Sequence, residues 1–249
     1  MNQEKHWNNI ADTYDDEVFD VFESDRNKTL QKYFKKHANK THNAIDFGCG
    51  IGKAFKYMAP TFRRLIATDI SEDCISIARV NHYSNIEYKK ADLTSASLRF
   101  PKADFGLCCN VAILPEPRDN IKIIRTVNRN LNEGGHALFV IPSLDSILHY
   151  AWRLIDWYDR EGVSPDRIAA SEFNYFKGPK HNIFRGIIDI RGVRTKHYAQ
   201  PEIEVTFPRA GFKVLNIERL EYDWETEFMK PPSWMKAPYP WDWMVEVRK

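Results

Sequence analysis

The sequence has few cysteines, almost no net charge and no long apolar segment, and each of these absences excludes a class of protein. Only 4 of the 249 residues are cysteine, too few for a scaffold built on disulfides. The formal net charge is +2, which gives no strong field to attract a polyanion. No apolar run could span a bilayer, and the first residues lack an apolar signal region. We therefore expect a cytoplasmic protein with reduced thiols and with neither a membrane nor nucleic acid as its partner.

Metal-ligand spacings, internal repeats and low-complexity linkers are also absent. Cys108 and Cys109 are adjacent, and neighbouring strand residues point to opposite faces, so the pair cannot easily hold one metal ion. No other group of histidine, cysteine and aspartate has the spacing of a local metal site, and we predict no metal. Because 43% of the residues are hydrophobic, residues 1–249 can form a single domain around a large core.

A glycine-rich loop that follows an acid is the most informative feature that the sequence does contain. Residues 44–53 read Ala-Ile-Asp-Phe-Gly-Cys-Gly-Ile-Gly-Lys. The apolar run predicts a buried strand that ends near Asp46, and the glycines allow a ligand to lie against bare main chain. A dinucleotide-binding loop has the spacing G-x-G-x-x-G. Here the third glycine comes one residue early and is followed by Lys53. A carboxylate at this position also suits a cation better than a phosphate.

Further apolar runs along the chain end in polar residues. They end at Asp69-Ile70, at Asp92-Leu93 and at Asn110-Val111, and a fifth run covers residues 136–142. Strand centres recur about every twenty residues with helix-length segments mostly between them, which is typical of an α/β fold with a parallel, doubly wound sheet. The carboxyl ends of such strands meet at one edge, where these sheets bind ligands.

The pattern D-x-G-x-G-x-G and the polar strand ends resemble the class I S-adenosylmethionine-dependent methyltransferases. The resemblance implies a mostly parallel seven-stranded sheet that ends in an antiparallel strand pair, residues 212–221 and 241–247. It also implies methyl transfer as the activity and S-adenosylmethionine as the cofactor. Within the cofactor site, it implies that Asp46, Gly48, Gly50 and Gly52 contact the methionine part and that Asp69 contacts the ribose. It also implies that Ile70, Asp92 and Leu93 contact the adenine and that Asn110 and Val111 lie near the methyl donor.

Two segments outside the sheet are predicted to select the acceptor. Trp7 to Asp15 follow the pattern W-x-x-x-A-x-x-Y-D, which is similar to the N-terminal helix that covers the cofactor in small-molecule members of the family. This predicts cap helices over residues 1–40, with Tyr14 facing the cofactor or the acceptor. Residues 143–200 form a long, aromatic-rich insertion, which we interpret as a substrate lid because connections of that length usually carry function. The predicted acceptor contacts are Tyr14, Trp152, Phe176 and Tyr198. The alternative is that the aromatic residues form the insertion's own small core.

The catalytic residues and the acceptor are less closely defined. Methyl transfer depends mainly on alignment of donor and acceptor, and a hydroxyl acceptor usually also needs a base. His197 and Tyr14 are the candidates for a base or positioning role. We predict a small-molecule acceptor with a nitrogen, oxygen or sulfur nucleophile. The alternatives are a non-catalytic cofactor-binding subunit and aminopropyl transfer, for which Glu116 and Asp119 only weakly supply the extra acids that would bind a polyamine.

Overall fold

The computed structural model describes residues 3–173, 182–190 and 192–249. Its strands are β1 (Asn39–Phe47), β2 (Phe62–Asp69), β3 (Ile86–Lys90), β4 (Ala103–Cys109), β5 (Leu131–Pro142), β6 (Ile187–Ile190), β7 (Val193–Lys196), β8 (Lys213–Glu221) and β9 (Trp241–Arg248). Its α-helices are α1 (Gln3–Ile10), α2 (Tyr14–Glu17), α3 (Val21–Ser24), α4 (Thr29–His37), α5 (Phe55–Met58), α6 (Glu72–Arg79), α7 (Pro117–Arg129), α8 (Leu144–Arg160) and α9 (Gln200–Arg209).

Seven of these strands form one sheet in the order β3-β2-β1-β4-β5-β9-β8, and β6 and β7 form a separate hairpin. The strands β1 to β5 run parallel, whereas β9 is antiparallel to both β5 and β8. Successive strands are added in one direction from β1 to β3 and in the other direction from β4 onward, so the order reverses between β1 and β4. At this point Asp46 of β1 lies opposite Ala67 in β2 and Leu107 in β4. This is the point at which an open α/β sheet forms a ligand crevice. The predicted fold class is confirmed.

Alternating residues of the strands pack against helices on both faces of the sheet. In β1, Ile45 and Phe47 belong to a core that contains residues of α7 and α9, whereas Ala44 belongs to a second core that contains residues of α4 and α5. Successive strand side chains point to opposite faces, so Asp46 lies on the face of the second core. The sheet is therefore doubly wound, and Asp46 is carried on it at the crevice.

The aromatic insertion and the loop between β8 and β9 share a third core. Tyr150 and Leu154 of α8 pack there with Trp224, Phe228 and Met235. The interpretation of part of the insertion as a core thus applies to these α8 residues, because Trp157 and Phe173 of the insertion also pack against them, together with the residues of the last loop. None of the helices in the described ranges is both long and apolar enough to cross a bilayer.

The element boundaries differ from the predicted ones in three places. Strand β1 begins at Asn39 and β5 at Leu131, both earlier than the apolar runs, because sheet pairing extends into polar and glycine-containing sequence. Strand β3 ends at Lys90, so Asp92 lies just beyond it. Helix α9 keeps Pro208 in its last turn, where loss of one amide donor affects a helix that is already ending. Strands β6 and β7 pair as an antiparallel hairpin, and Arg191 between them lies outside the described residues.

Candidate active site

The glycine loop bends sharply at the end of β1. The amides of Gly48 and Cys49 both donate to the carbonyl oxygen of Thr68 in β2, at 2.7 and 2.8 Å. Gly48 has φ +82°, and a Cβ atom there would clash with the side chain of Val111. Only glycine fits such a position without strain. The turn therefore brings the loop backbone against the residues that follow β4.

Asp69 joins the glycine loop to the end of β2. Its Oδ2 accepts a hydrogen bond from the Gly50 amide at 2.8 Å, and its Oδ1 accepts one from the Ser71 amide at 2.9 Å. Burial raises the pKa of Asp69, and these backbone hydrogen bonds oppose that rise. A carboxylate has about four lone-pair sites, so the group can still accept bonds from two hydroxyls of a ligand.

Two buried acceptor atoms at this edge lack hydrogen-bond partners among the described residues. They are Oδ2 of Asp46 and Oδ1 of Asn110. Burial, with a contribution from the charge of Asp69, raises the pKa of Asp46 to about 8. Asn110 has φ +55°, a conformation that is uncommon for a non-glycine residue and that clusters at functional sites. Buried acceptors are normally satisfied, so this pair indicates that a ligand with hydrogen-bond donors completes the site.

Both residues line a cavity between the sheet edge and the N-terminal segment, residues 3–24. Its walls are polar on the sheet side and largely apolar on the side of the N-terminal segment. The lining residues are Tyr14, Val18, Phe19, Val21, Phe22, Asp46, Gly48, Cys49, Lys53, Ala54, Leu107, Cys109 and Asn110.

The side chain of Tyr14 lies beside the glycine loop. A Cβ atom on Gly50 would lie 2.5 Å from the Tyr14 hydroxyl oxygen. Burial, followed by the charge of Asp69, raises the pKa of Tyr14 well above its usual value. The phenol is thus protonated at neutral pH and is suited to donating a hydrogen bond rather than to accepting a proton.

The ammonium group of Lys53 is held by the N-terminal segment. Its Nζ lies 2.7 Å from Oδ1 of Asp15 and 2.8 Å from Oδ2 of Asp20. The Asp20 side chain also accepts from two amides at the start of α3. Lys53 is therefore engaged with carboxylates, and its charge is not offered to a phosphate. This ion pair fastens the segment across the glycine loop.

The predicted adenine contacts lie on the next two strand ends. Ile70 is half-buried after β2, and Leu93 is buried. Asp92 is exposed, and its Oδ1 accepts from the amide and hydroxyl of Thr94 at 2.8 and 2.7 Å. Its carboxylate is thus partly used in a local turn, while Asp69 supports the glycine loop itself.

None of the predicted lid residues within the described ranges lies among the cavity-lining side chains. Trp152 is on the outer surface of α8, with 56% of its area exposed. Tyr198 is buried and donates to the carbonyl oxygen of Ala112 at 2.7 Å. His197 is also buried, with Nδ1 3.2 Å from the Thr195 carbonyl oxygen, and burial lowers its pKa to about 4. Phe176 lies outside the described residues.

Three functional candidates escaped the sequence analysis. Phe19 and Phe22 line the cavity, and the available signal was their place directly after the W-x-x-x-A-x-x-Y-D pattern. Lys196 is a buried lysine whose Nζ donates to Glu202 and to the carbonyl oxygens of Arg185 and His197. These bonds connect the β6–β7 hairpin to α9, and no sequence pattern indicated this role for Lys196.

The residues at this edge fit the cofactor that the resemblance implied. The unpartnered oxygens of Asp46 and Asn110 suit the donors of an ammonium group, and Asp69 suits the two hydroxyls of a ribose. Because Lys53 is already paired with Asp15 and Asp20 and further carboxylates lie nearby, this edge does not suit a pyrophosphate. The predicted group of Tyr14, Asp46, Gly48, Gly50, Asp69, Asn110 and Val111 is brought together around the strand ends.

Comparison with known proteins agrees with this geometry. A protein-family model described as a methyltransferase domain matches residues 19–217. A structure of a SAM-dependent methyltransferase from Methanosarcina mazei is similar at 17% identity and a TM-score of 0.62, over 87% of this chain and 96% of that one. One from Anabaena variabilis is similar at 15% identity and a TM-score of 0.61, over 100% and 95%. The structure of DhpI with SAM and HEP is similar at 13% identity and a TM-score of 0.62, over 99% and 95%. No curated protein sequence matches the chain.

Proposed function

Since this chain belongs to the class I S-adenosylmethionine-dependent methyltransferases, we propose that it methylates a nitrogen, oxygen or sulfur atom of a small organic molecule. The single observation that supports this most strongly is the cavity that opens beside Asn110, at the end of β4. The side chains of the N-terminal segment cover this cavity, which suits an enclosed small ligand better than a folded macromolecule.

The cofactor is proposed to lie along the strand ends in the order that the resemblance implied, with the difference that Asn110, placed near the methyl donor by the resemblance, is proposed to contact the amino-acid part as well. Asp46 and Asn110 would accept hydrogen bonds from the amino-acid part, while the glycine loop offers bare backbone beside it. Asp69 would accept from the ribose hydroxyls, with Ile70 and Leu93 against the adenine. Asp92 would accept from the adenine amino group, as the sequence resemblance implied.

The acceptor is proposed to lie between this edge and the aromatic side chains of the N-terminal segment. Phe19 lines the cavity with 44% of its area exposed, and its ring packs edge-on against Tyr222 at 4.8 Å between centroids. An exposed aromatic ring at the rim of a cavity is suited to contact with a ligand. Together with Phe22, it supplies an apolar wall, while Tyr14 supplies a hydrogen-bond donor.

When bound, S-adenosylmethionine supplies a methyl group on a positively charged sulfur. The residues of this chain position the acceptor, exclude water and fix the N-terminal segment through the Lys53 ion pairs. Alignment of this kind accounts for much of the rate of an in-line displacement. None of the described residues that line the cavity is a histidine, and this supports an acceptor such as an amine or thiol that needs no strong base.

The acids considered for polyamine recognition support no second function. Glu116 pairs with Arg185 at 2.8 Å, and Asp119 pairs with Lys122 at 2.7 Å. Both carboxylates lie at the beginning of α7, and each already forms an ion pair with a basic side chain. We therefore propose methyl transfer and not aminopropyl transfer.

A labelling screen tests the acceptor class. The protein is incubated with S-adenosylmethionine that carries a radioactive methyl group and with a small-molecule extract, an RNA fraction or a protein fraction. We expect label in the small-molecule fraction, and much less with a Gly50→Ala variant as the matched control. Label confined to RNA or protein would refute the small-molecule proposal, and absence of label in every fraction would favour a non-catalytic subunit.

A further inference from the structure

A group of metal-ligating side chains lies at the opposite end of the sheet from the candidate active site. His37 comes from the last turn of α4, His136 from β5 and Glu246 from β9. His136 pairs with Phe105 near the beginning of β4, whereas the crevice lies beyond the carboxyl ends of these strands. The group is thus separate from the methyl-transfer site and independent of the proposed function.

The three ligand atoms converge on one point. They all lie within 4.8 Å of one another. Oε1 of Glu246 is 2.8 Å from Nε2 of His37 and 3.9 Å from Nδ1 of His136. Zinc–nitrogen and zinc–oxygen bonds of about 2.0–2.1 Å in a tetrahedron place neighbouring ligand atoms about 3.3 Å apart. The two measured separations bracket that value, so small side-chain rotations would complete the geometry.

The nitrogen of His136 supplies the second indication. Its Nδ1 is buried and has no hydrogen-bond partner among the described residues, although buried polar atoms are normally satisfied. The ring is otherwise about one-third exposed, which leaves a route for an ion from solvent.

Basic side chains lie next to this group, and one of them would compete with a metal ion for the Glu246 carboxylate. The Lys36 Nζ lies 2.8 Å from each oxygen of that carboxylate, and Arg248 is the other positive charge that acts on His136. Burial raises the pKa of Glu246, but hydrogen bonds from Lys36 and His37 outweigh it and lower the value. The carboxylate is therefore ionised at neutral pH. The Lys36 side chain is 55% exposed, so its ammonium can turn toward solvent when a stronger cation arrives.

We propose that His37, His136 and Glu246 form a binding site for one divalent transition-metal ion of the zinc type. Two imidazoles and one carboxylate suit Zn²⁺, Co²⁺ or Ni²⁺ and not Mg²⁺, which prefers oxygen ligands. Three protein ligands leave a fourth position for water. The bound ion would join α4 to β5 and β9, and so connect the N-terminal part of the chain with its last strand.

Titration of the full-length protein without a polyhistidine tag tests the site. We expect one Zn²⁺ per chain by calorimetry and a rise in melting temperature, because the ion binds only the folded state. MgCl₂ should cause neither change. His136→Ala and Glu246→Gln should lower Zn²⁺ affinity about a hundredfold or more, since loss of an outer-shell partner alone costs about 10–100-fold. Lys36→Met should raise the affinity because it removes the competing cation.

His42→Ala is the matched control, because this residue lies in β1 and its Nε2 is near the Asn39 side chain. It should keep wild-type affinity. The absorption spectrum of the Co²⁺ form gives a second readout that does not depend on the variants, since thiolate ligands would add a charge-transfer band. The proposal is overturned by absence of saturable Zn²⁺ binding, by undiminished binding in folded His136→Ala and Glu246→Gln, by equal loss in His42→Ala, or by a thiolate band.

Discussion

The hydroxyl oxygen of Tyr14 lies so close to the backbone of Gly50 that a Cβ atom at residue 50 would come within 2.5 Å of it. The N-terminal segment and the glycine loop therefore form one surface around the crevice. Lys53 strengthens this arrangement, because its ammonium group is bound by Asp15 and Asp20 of the same segment. Contacts between the segment and the loop should consequently control access to the cavity.

Gly50→Ala should weaken S-adenosylmethionine binding at least about tenfold. The new methyl group would push against Tyr14, and a non-glycine residue in the left-handed region costs about 1–2 kcal/mol. Gly162→Ala provides the control, since Gly162 has φ +79° with no atom near its Cβ position. It should lose similar stability in thermal unfolding but keep its cofactor affinity in calorimetry. Equal affinities for both variants would contradict the proposed role of the loop.

Asp69→Ala should weaken cofactor binding more than Asp92→Ala. Asp69 holds the amides of Gly50 and Ser71 and is proposed to bind two ribose hydroxyls through charge-assisted bonds of about 1.5–3 kcal/mol each. Asp92 is exposed and makes a local turn with Thr94. Dissociation constants from calorimetry test the order, with melting curves as a check on folding. A larger loss in Asp92→Ala would show that the crevice is assigned incorrectly.

The contribution of Asp46 to the stability of the ligand-free protein should fall as the pH rises from about 4 to about 8. Burial raises the pKa of Asp46 to about 8, whereas an unfolded aspartate titrates near 3.9. In this window the folded state holds a proton that the unfolded state has released, so rising pH favours unfolding. Denaturant titrations at pH 5 and pH 8 should show that, on going to pH 8, Asp46→Asn loses less free energy of unfolding than wild type, or gains more. Asp92→Asn should keep the wild-type difference, and an unchanged slope in Asp46→Asn would contradict the assignment.

Phe19→Ala should raise the acceptor KM about tenfold and leave the cofactor dissociation constant within a few fold. The expected loss of acceptor binding free energy is a fraction of the total that full burial of a large apolar side chain contributes, which is about 1.5–3 kcal/mol. Trp152→Ala is the informative comparison, since Trp152 lies on the outer surface of α8. If Trp152→Ala raises KM and Phe19→Ala does not, the acceptor is held by residues 143–200, as the sequence first suggested.

The roles predicted for His197 can be separated by measurement. Because its ring is buried against the Thr195 carbonyl oxygen, we expect His197→Gln to lower the melting temperature and to change kcat only modestly. A base role, as the sequence analysis predicted, would instead lower kcat about a hundredfold and remove a limb of the pH profile at unchanged stability.

The sheet and its crevice could be predicted because their signals are local in the sequence. An apolar run that ends in Asp46 or Asp69 specifies a buried strand and the residue at its edge. Pairing then follows from the parallel βαβ rhythm. Tyr14 lies beside the glycine loop, and the short pattern around it led to the prediction, which stays a prediction, that it faces the cofactor or the acceptor.

Other parts of the molecule depend on contacts that no local pattern encodes. The aromatic residues of α8 pack with Trp224 and Phe228, which lie far along the chain, and this contact decides which side of α8 is exposed. The group of His37, His136 and Glu246 is assembled in the same way from three distant elements. Sequence spacing alone therefore gave no indication of a metal site.

Calorimetric titration of the wild-type protein with S-adenosylmethionine, S-adenosylhomocysteine and NAD tests the central claim most directly. Because the strand ends carry carboxylates and Lys53 is already paired with Asp15 and Asp20, we expect micromolar binding of the first two ligands, at one site per chain, and no binding of NAD. Tight binding of NAD, or no heat with either S-adenosyl compound, would contradict the account.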